Sequence, residues 1–319
     1  MNTSAYNTND LILGCMHLGG SWNTSPFSDK EREKAFKTLE AAIENGITRF
    51  DHADIYTLGK SEKIFGEWLK ANSALRSKIE IQTKAGILLE KGANGSNYYR
   101  SDKKYLTEQC NASLKSLQTD YLDSFLIHRP DPYTHPEEIA ETFRSLKSAG
   151  KVRHFGVSNM SAAQTAAIQD AWGEALTCNQ LQLSIGHSQL VMREFFENTK
   201  QLPAENTDDN LLHYLRKQNM ELQAWSPLDN GRFTKPLNKK DSDTEKQSKE
   251  LVSQLSEKYA CSKEALVLAW IFKLPLRTAA VTGTGNPERI KACTQALNIE
   301  LSHEDAYNLL ITAFGEKLP

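Results

Sequence analysis

Four side chains stand where they could move protons between them. Asp51 and Tyr56 open and close the stretch Asp51-His52-Ala53-Asp54-Ile55-Tyr56, Lys84 ends the next β-rich run, and His128 ends the one after it. A carboxylate, a phenol, an ammonium and an imidazole together make a proton-transfer set rather than core filler. Taken singly, each has a plainer reading. An aspartate after a strand is a turn former, a lysine is usually solvated, and a histidine beside Pro130 can cap a loop. Their shared position, at the ends of successive strands, is what gives the set meaning.

The elements that must position them alternate. Short β-rich runs lie at residues 13–18, 47–51, 79–83, 121–127, 155–157, 178–183, 222–224 and 279–281. Helical patterns follow at 28–45, 61–71, 101–117, 136–149, 161–171, 210–218, 262–272 and 287–296, with a last one at 302–314. Ser28 and Glu31 have the spacing of a capping box, Phe36, Leu39, Ala42 and Ile43 give one apolar face, and Gly46 ends that helix. Strict alternation implies a parallel sheet with helical crossovers. Eight units predict an α/β fold of the closed (β/α)8 TIM-barrel type, one domain over 1–319, with its active site at the C-terminal strand ends. An open doubly wound sheet is the alternative.

In that frame other polar residues reach the same rim: Ser158 and Asn159 after the fifth strand, Gln180 on the sixth, Trp225-Ser226-Pro227 after the seventh, and Thr282-Gly283-Thr284-Gly285 after the eighth. Three connections are long, at 86–100, 198–209 and 229–249. The last carries Asn238-Lys239-Lys240-Asp241-Ser242-Asp243 and reads as a solvated loop, although long loops on this face are often lids.

Composition narrows the function classes. With 38 Lys plus Arg against 40 Asp plus Glu, the chain lacks the cationic excess of a dedicated nucleic-acid binder. No apolar run approaches the roughly 18 residues that cross a bilayer, and the first thirty residues lack a signal-like core. Five scattered cysteines without a C-x-x-C fit neither a disulfide framework nor a zinc site, so no metal is expected and a reducing cytoplasm is the expected location. A monomer or small homo-oligomer is anticipated.

Tyr56-Thr57-Leu58-Gly59-Lys60 has the Tyr-x-x-x-Lys spacing of short-chain dehydrogenases, but Gly59 interrupts the required helix and no Gly-x-Gly-x-x-Gly follows an early strand. Lys60 is therefore expected to be a surface residue. The ordered set Gly46–Tyr56, Lys84, Leu126-Ile127-His128-Arg129-Pro130, Gly156-Val157-Ser158-Asn159, Gln180, Ala224-Trp225-Ser226-Pro227-Leu228 and Gly283-Thr284-Gly285-Asn286-Pro287-Glu288-Arg289 resembles the aldo-keto reductases over essentially the whole chain. Residues 51–56 and 128–132 are most similar to the bacterial YdhF-like branch.

The resemblance implies NAD(P)H-dependent reduction of a small aldehyde or ketone to an alcohol. Tyr56 would be the general acid, with Lys84 lowering the pKa of its phenol from near 10, Asp51 orienting Lys84, and His128 donating to the carbonyl oxygen. Ser158, Asn159 and Gln180 match contacts to the nicotinamide carboxamide, and Trp225 matches an aromatic stacked under that ring. Ser226 and Leu228 would lie near the pyrophosphate. Gly283, Thr284, Gly285, Asn286 and Arg289 match the adenosine-phosphate region, where Arg289 could grip a 2′-phosphate. Arg289 makes NADPH the expected cofactor, while the absence at Gly283 of the lysine that many relatives carry leaves NADH possible. Trp22, Ile55, Ile87 and the loop from Arg129 to Tyr133 are candidate substrate linings, with Arg129 either meeting an acidic group or, as expected, pairing with Asp131. Two other readings compete. One is an NADPH-binding regulatory subunit resembling potassium-channel β-subunits, with little turnover. The other is a barrel with isomerase or lyase chemistry that binds no nicotinamide.

Overall fold

A computed structural model describes residues 7–196 and 210–319. Eight parallel strands close into a barrel: β1 (Leu11–Gly14), β2 (Arg49–Asp51), β3 (Glu80–Ala85), β4 (Leu122–Ile127), β5 (Val152–Ser158), β6 (Cys178–Gln182), β7 (Glu221–Trp225) and β8 (Thr278–Thr282). Their order round the barrel follows the chain, and β1 pairs with both β2 and β8 to seal it. The closed barrel is the expected fold, and the open sheet is excluded.

The helices of eight residues or more are α1 (Asp29–Glu44), α2 (Lys60–Ala71), α3 (Lys103–Leu117), α4 (Pro136–Ser148), α5 (Ala162–Trp172), α6 (Leu211–Gln218), α7 (Asp243–Lys258), α8 (Lys263–Phe272), α9 (Pro287–Thr294) and α10 (His303–Phe314). The Ser28–Glu31 capping box is formed, the Ser28 hydroxyl accepting from Glu31 N and the Glu31 carboxylate from Ser28 N. Two long connections differ from expectation. The segment 229–249, read as solvated loop, runs into α7 by residue 243, with a second capping box between Ser242 and Glu245. The 86–100 connection folds into a small antiparallel hairpin pairing Ile87 with Tyr99 and Leu88 with Tyr98. The 198–209 connection lies outside the described residues.

Two apolar clusters mark the two faces of the sheet. The large one joins the outward strand residues, such as Leu11, Leu13, Phe50, Phe125 and Val157, to the inner helix faces. The small one, inside the barrel, holds only Ile12, Ala279 and Val281, with Trp225 against it. Polar side chains on β2, β3, β6 and β7 fill much of the rest of the interior, with Leu126 of β4 an apolar exception level with Lys84. Space there is tight: a Cβ on Gly156 of β5 would sit 2.8 Å from Cys178 Sγ and 2.9 Å from its carbonyl oxygen.

Candidate active site

Alternation along a strand sends every second side chain inward. Arg49 and Asp51 on β2 therefore share a face, as do Gln82 and Lys84 on β3, and Cys178 and Gln180 on β6. Pairing sets Asp51 level with Gln82, and Gln180 level with Gln223. At the C-terminal end Lys84 Nζ lies 2.6 Å from Asp51 Oδ1 and donates to His52 O at 2.9 Å, with both members of the ion pair almost wholly buried.

Tyr56 reaches this pair from a strained turn. Thr57, Leu58 and Gly59 all adopt left-handed backbone, which costs about 1–3 kcal/mol at each non-glycine position and persists only where surroundings enforce it. Thr57 is buried and donates its hydroxyl to Tyr56 O at 2.8 Å. The loop after β1 presses on the turn so closely that a Cβ on Gly19 would fall 2.3 Å from Thr57 Oγ1. The Tyr56 ring centroid ends 5.1 Å from Lys84 Nζ and 6.3 Å from the His128 ring, edge to face.

The four expected groups thus meet, but the electrostatics differ from expectation. Burial first, then the Asp51 carboxylate, pushes the Tyr56 phenol well above its ordinary value. Asp51 sits against the lysine cation and offsets its field at the phenol. The phenol therefore holds its proton instead of being acidified. His128 is driven well below its ordinary value by burial and by the cations of Lys84 and Arg129, so it is a neutral imidazole. Its Nδ1 is buried without a hydrogen-bond partner.

The other expected residues fall into three groups. Ser158, Asn159, Gln180 and Trp225 are tied to one another beside His128. Trp225 Nε1 donates to Asn159 Oδ1 at 3.0 Å, Asn159 Nδ2 to Ser158 Oγ at 2.8 Å, and Ser158 Oγ to Gln180 O at 2.8 Å. The Gln180 amide itself turns inward, donating to Asp51 Oδ1 at 2.9 Å. Ser226 and Leu228 follow, both half-buried, with Ser226 in left-handed backbone.

Gly283, Gly285, Asn286 and Arg289 are exposed and Thr284 half-buried, at the N-terminus of α9, where Asn286 Oδ1 accepts from Arg289 N at 3.2 Å. Arg289 is also drawn toward a carboxylate, its Nε lying 3.4 Å from Glu264 Oε1.

Trp22 is 46% exposed and Ile55 half-buried. Arg129 is half-buried and, among the described residues, makes no ion pair. The expected Arg129–Asp131 pair does not form, because Asp131 is taken by Ser101 N, Tyr133 N and the Thr134 hydroxyl.

Lys60 is a further correction. It is buried, and its ammonium donates to Ser21 O at 2.7 Å, Asn23 Oδ1 at 3.1 Å and Ser25 O at 3.2 Å, pinning the loop that carries Trp22. The short-chain-dehydrogenase spacing is thereby explained away: this lysine clasps a loop.

Sequence reasoning also missed the polar interior. Arg49, Gln82, Glu221 and Gln223 form one hydrogen-bonded group below Asp51. Its signal was available, since strands of a parallel barrel are buried on both faces and a polar residue at every second position has no solvent to face. All five cysteines are free, and no metal-binding group occurs among the described residues. Nor is any described helix long and apolar enough to cross a membrane.

Comparison with known proteins gives a consistent answer. Residues 10–309 match the model of the Aldo/keto reductase family. The chain is 34% identical to the oxidoreductase YcsN of Bacillus subtilis (strain 168) over 306 residues, 95% of both chains. It is 32% identical to the oxidoreductase YdhF of Escherichia coli (strain K12), covering 94% of each. A 6-dehydroglucose reductase of Agrobacterium fabrum is 29% identical over 97% of this chain and 95% of its own. Among solved structures, the glycerol dehydrogenase AKR11B4 of Gluconobacter oxydans superposes with a TM-score of 0.79 at 22% identity, covering 97% of this chain and 94% of its own.

Proposed function

Because this chain belongs to the aldo/keto reductase family, and is an oxidoreductase of that family, we propose that it reduces an aldehyde or ketone with NADPH, Tyr56 giving the proton. The observation that carries the reading is the half-buried Tyr56, its phenol holding its proton, with its ring 5.1 Å from the ammonium of the Lys84–Asp51 ion pair and edge to face with His128.

The residues present fit a nicotinamide dinucleotide. Half-buried Trp225, its edge pinned by Asn159, offers a ring-sized platform beside His128, and the exposed loop before α9 offers anion-binding backbone at a helix N-terminus. When bound, the cofactor supplies the hydride.

Everything else is work for the chain. Neutral His128 points a hydrogen bond at the substrate oxygen, fixing its angle and favouring negative charge on it. Tyr56 releases its proton to that oxygen, and Lys84 with Asp51 holds the vacated phenolate next to a cation. A phenol that keeps its proton in the resting site suits the reductive direction, since the donor is loaded before substrate arrives.

Six exposed large apolar side chains belong to the four consecutive loops after β1–β4: Met16, Trp22, Leu58, Tyr98, Tyr99 and Tyr133. They give half the rim an apolar and aromatic character suited to the face of a ring-bearing substrate. The Agrobacterium relative named for 6-dehydroglucose supports a keto-sugar among those to try first.

The test follows NADPH absorbance with a panel of aldehydes, ketones, keto-sugars and quinones. Rapid oxidation with at least one carbonyl supports the reading. Tight NADPH binding without turnover would favour a regulatory subunit, and no binding would end the reductase assignment.

A further inference from the structure

We propose that Gln82 and Gln223 are positioning residues of the reaction, aiming Asp51 through a directed hydrogen-bond network that begins at Arg49 and Glu221. Three donors converge on a single oxygen, Asp51 Oδ1: Lys84 Nζ at 2.6 Å, Gln82 Nε2 at 2.7 Å and Gln180 Nε2 at 2.9 Å. Both amide nitrogens also donate to Gln223 Oε1, at 2.8 Å from Gln82 and 3.1 Å from Gln180. Gln223 Nε2 donates back to Gln82 Oε1 at 3.1 Å and down to Glu221 Oε2 at 2.8 Å. Glu221 in turn accepts both guanidinium branches of Arg49, at 3.0 and 2.7 Å.

The direction of every bond in this chain is forced. Asp51 and Glu221 are the acceptors at its two ends, so turning over Gln82 or Gln180 would set a carbonyl against the Asp51 carboxylate. Turning over Gln223 would do the same at Glu221 and would face nitrogen with nitrogen above it. One arrangement satisfies all three amides, and in it two of them hold one oxygen of Asp51 in place.

A purely structural filling would not need this. The layers inside such barrels are dominated by branched apolar residues, and replacing a buried polar group by well-packed apolar ones is often neutral or stabilising. The small apolar cluster of Ile12, Ala279 and Val281 shows that this barrel uses such filling on its other side. The polar side is the one that ends on Asp51, and through it on Lys84 and Tyr56.

Gln223 gives the sharper test, because it makes no hydrogen bond to Asp51, Lys84, Tyr56 or His128. Gln82→Met and Gln223→Met preserve volume and remove the amides. Each is expected to lower kcat about tenfold, a size in keeping with sub-ångström misplacement of catalytic groups, with KM for the carbonyl changed less than twofold. The double variant is expected to be no slower than the worse single one, since both break the same chain. If a Met variant does not fold, Gln82→Asn keeps an amide in the barrel but withdraws it from Asp51 and serves the same comparison.

The kinetic part rests on the reductase reading. A crystal structure of the Gln223→Met variant does not: it should show the Asp51 carboxylate rotated and its 2.6 Å contact with Lys84 lengthened. An unmoved Asp51, unchanged kcat in folded variants, or losses that multiply in the double variant would overturn the proposal. Absence of turnover in the wild type would instead overturn the reductase reading, leaving the crystal structure to decide the network.

Discussion

Tyr56, His128 and Asp54 owe their protonation states, a retained proton on the two acids and a lost one on the imidazole, to burial more than to their charged neighbours. For Asp54 the consequence reaches stability. One of its carboxyl oxygens is closed off without a partner, and burial, then the Glu62 carboxylate, pushes this acid up to about 8. The same carboxyl titrates at about 4 in an unfolded chain. Between those values the folded protein keeps a proton that the unfolded chain has lost, so this contribution falls as pH rises from about 4 to 8 and is level above it.

Asp54→Asn keeps the neutral shape and removes the slope. Urea unfolding at pH 5, 6.5 and 8 should show the variant gaining on wild type as pH rises, whereas a constant difference would mean Asp54 is ionised throughout. At this scale the site was legible by type: Asp51, Tyr56, Lys84 and His128 were found from polar residues at strand ends. The sign of the Tyr56 shift was not, because it depends first on how far the folded site shields the phenol from water and then on the Asp51 carboxylate beside it, which no spacing reports.

Among the elements, helix starts were the most readable and the long connections the least. Ser28 with Glu31 and Ser242 with Glu245 are the same capping signal, and both form. The second went unread because the charged run from Asn238 to Asp243 looked like solvated loop, when it leads into α7. Lys60 was misplaced for a related reason: a lysine between a turn and a helix is usually solvated, and only the folded loop after β1 supplies the three oxygens that bury it.

The loop from Gly283 to Asn286 carries a cofactor prediction. Gly283 is exposed, and a Cβ built there meets nothing within 4 Å, so packing does not require glycine. Arg289, the cation expected to meet a 2′-phosphate, is shared with Glu264. Gly283→Lys would add an unshared cation. It is expected to tighten NADPH about tenfold, ~1.4 kcal/mol, and to leave NADH unchanged, as read by fluorescence titration. Equal effects on both dinucleotides would remove the 2′-phosphate from this loop.

Over the whole molecule, eight strand–helix alternations were enough to read the closed barrel, because handed crossovers and a both-faces-buried sheet leave few alternatives. What fills the barrel was not read. Its polar half depends on which strand faces point inward, and that is fixed by register. The lower end of this interior should also be a point of fragility. Glu221→Leu would leave the mostly buried Arg49 guanidinium with only the Asn9 carbonyl at 2.9 Å and the more exposed Glu80 carboxylate at 3.3 Å, and Gln223 without its lower acceptor. A loss of about 3–5 kcal/mol is expected from breaking one side of such a buried pair. Chemical denaturation measures it, and a change below about 1 kcal/mol, the size of an exposed pair, would mean that water reaches Arg49.

Tyr56→Phe bears most directly on the chemistry, since it removes the phenolic hydroxyl and little else. Steady-state reduction of the best carbonyl in the panel, beside NADPH binding by fluorescence, should show affinity within about twofold of wild type and kcat lowered by at least about 100-fold, the lower range for a lost general acid. Ordinary turnover in this variant would mean that the proton comes from elsewhere.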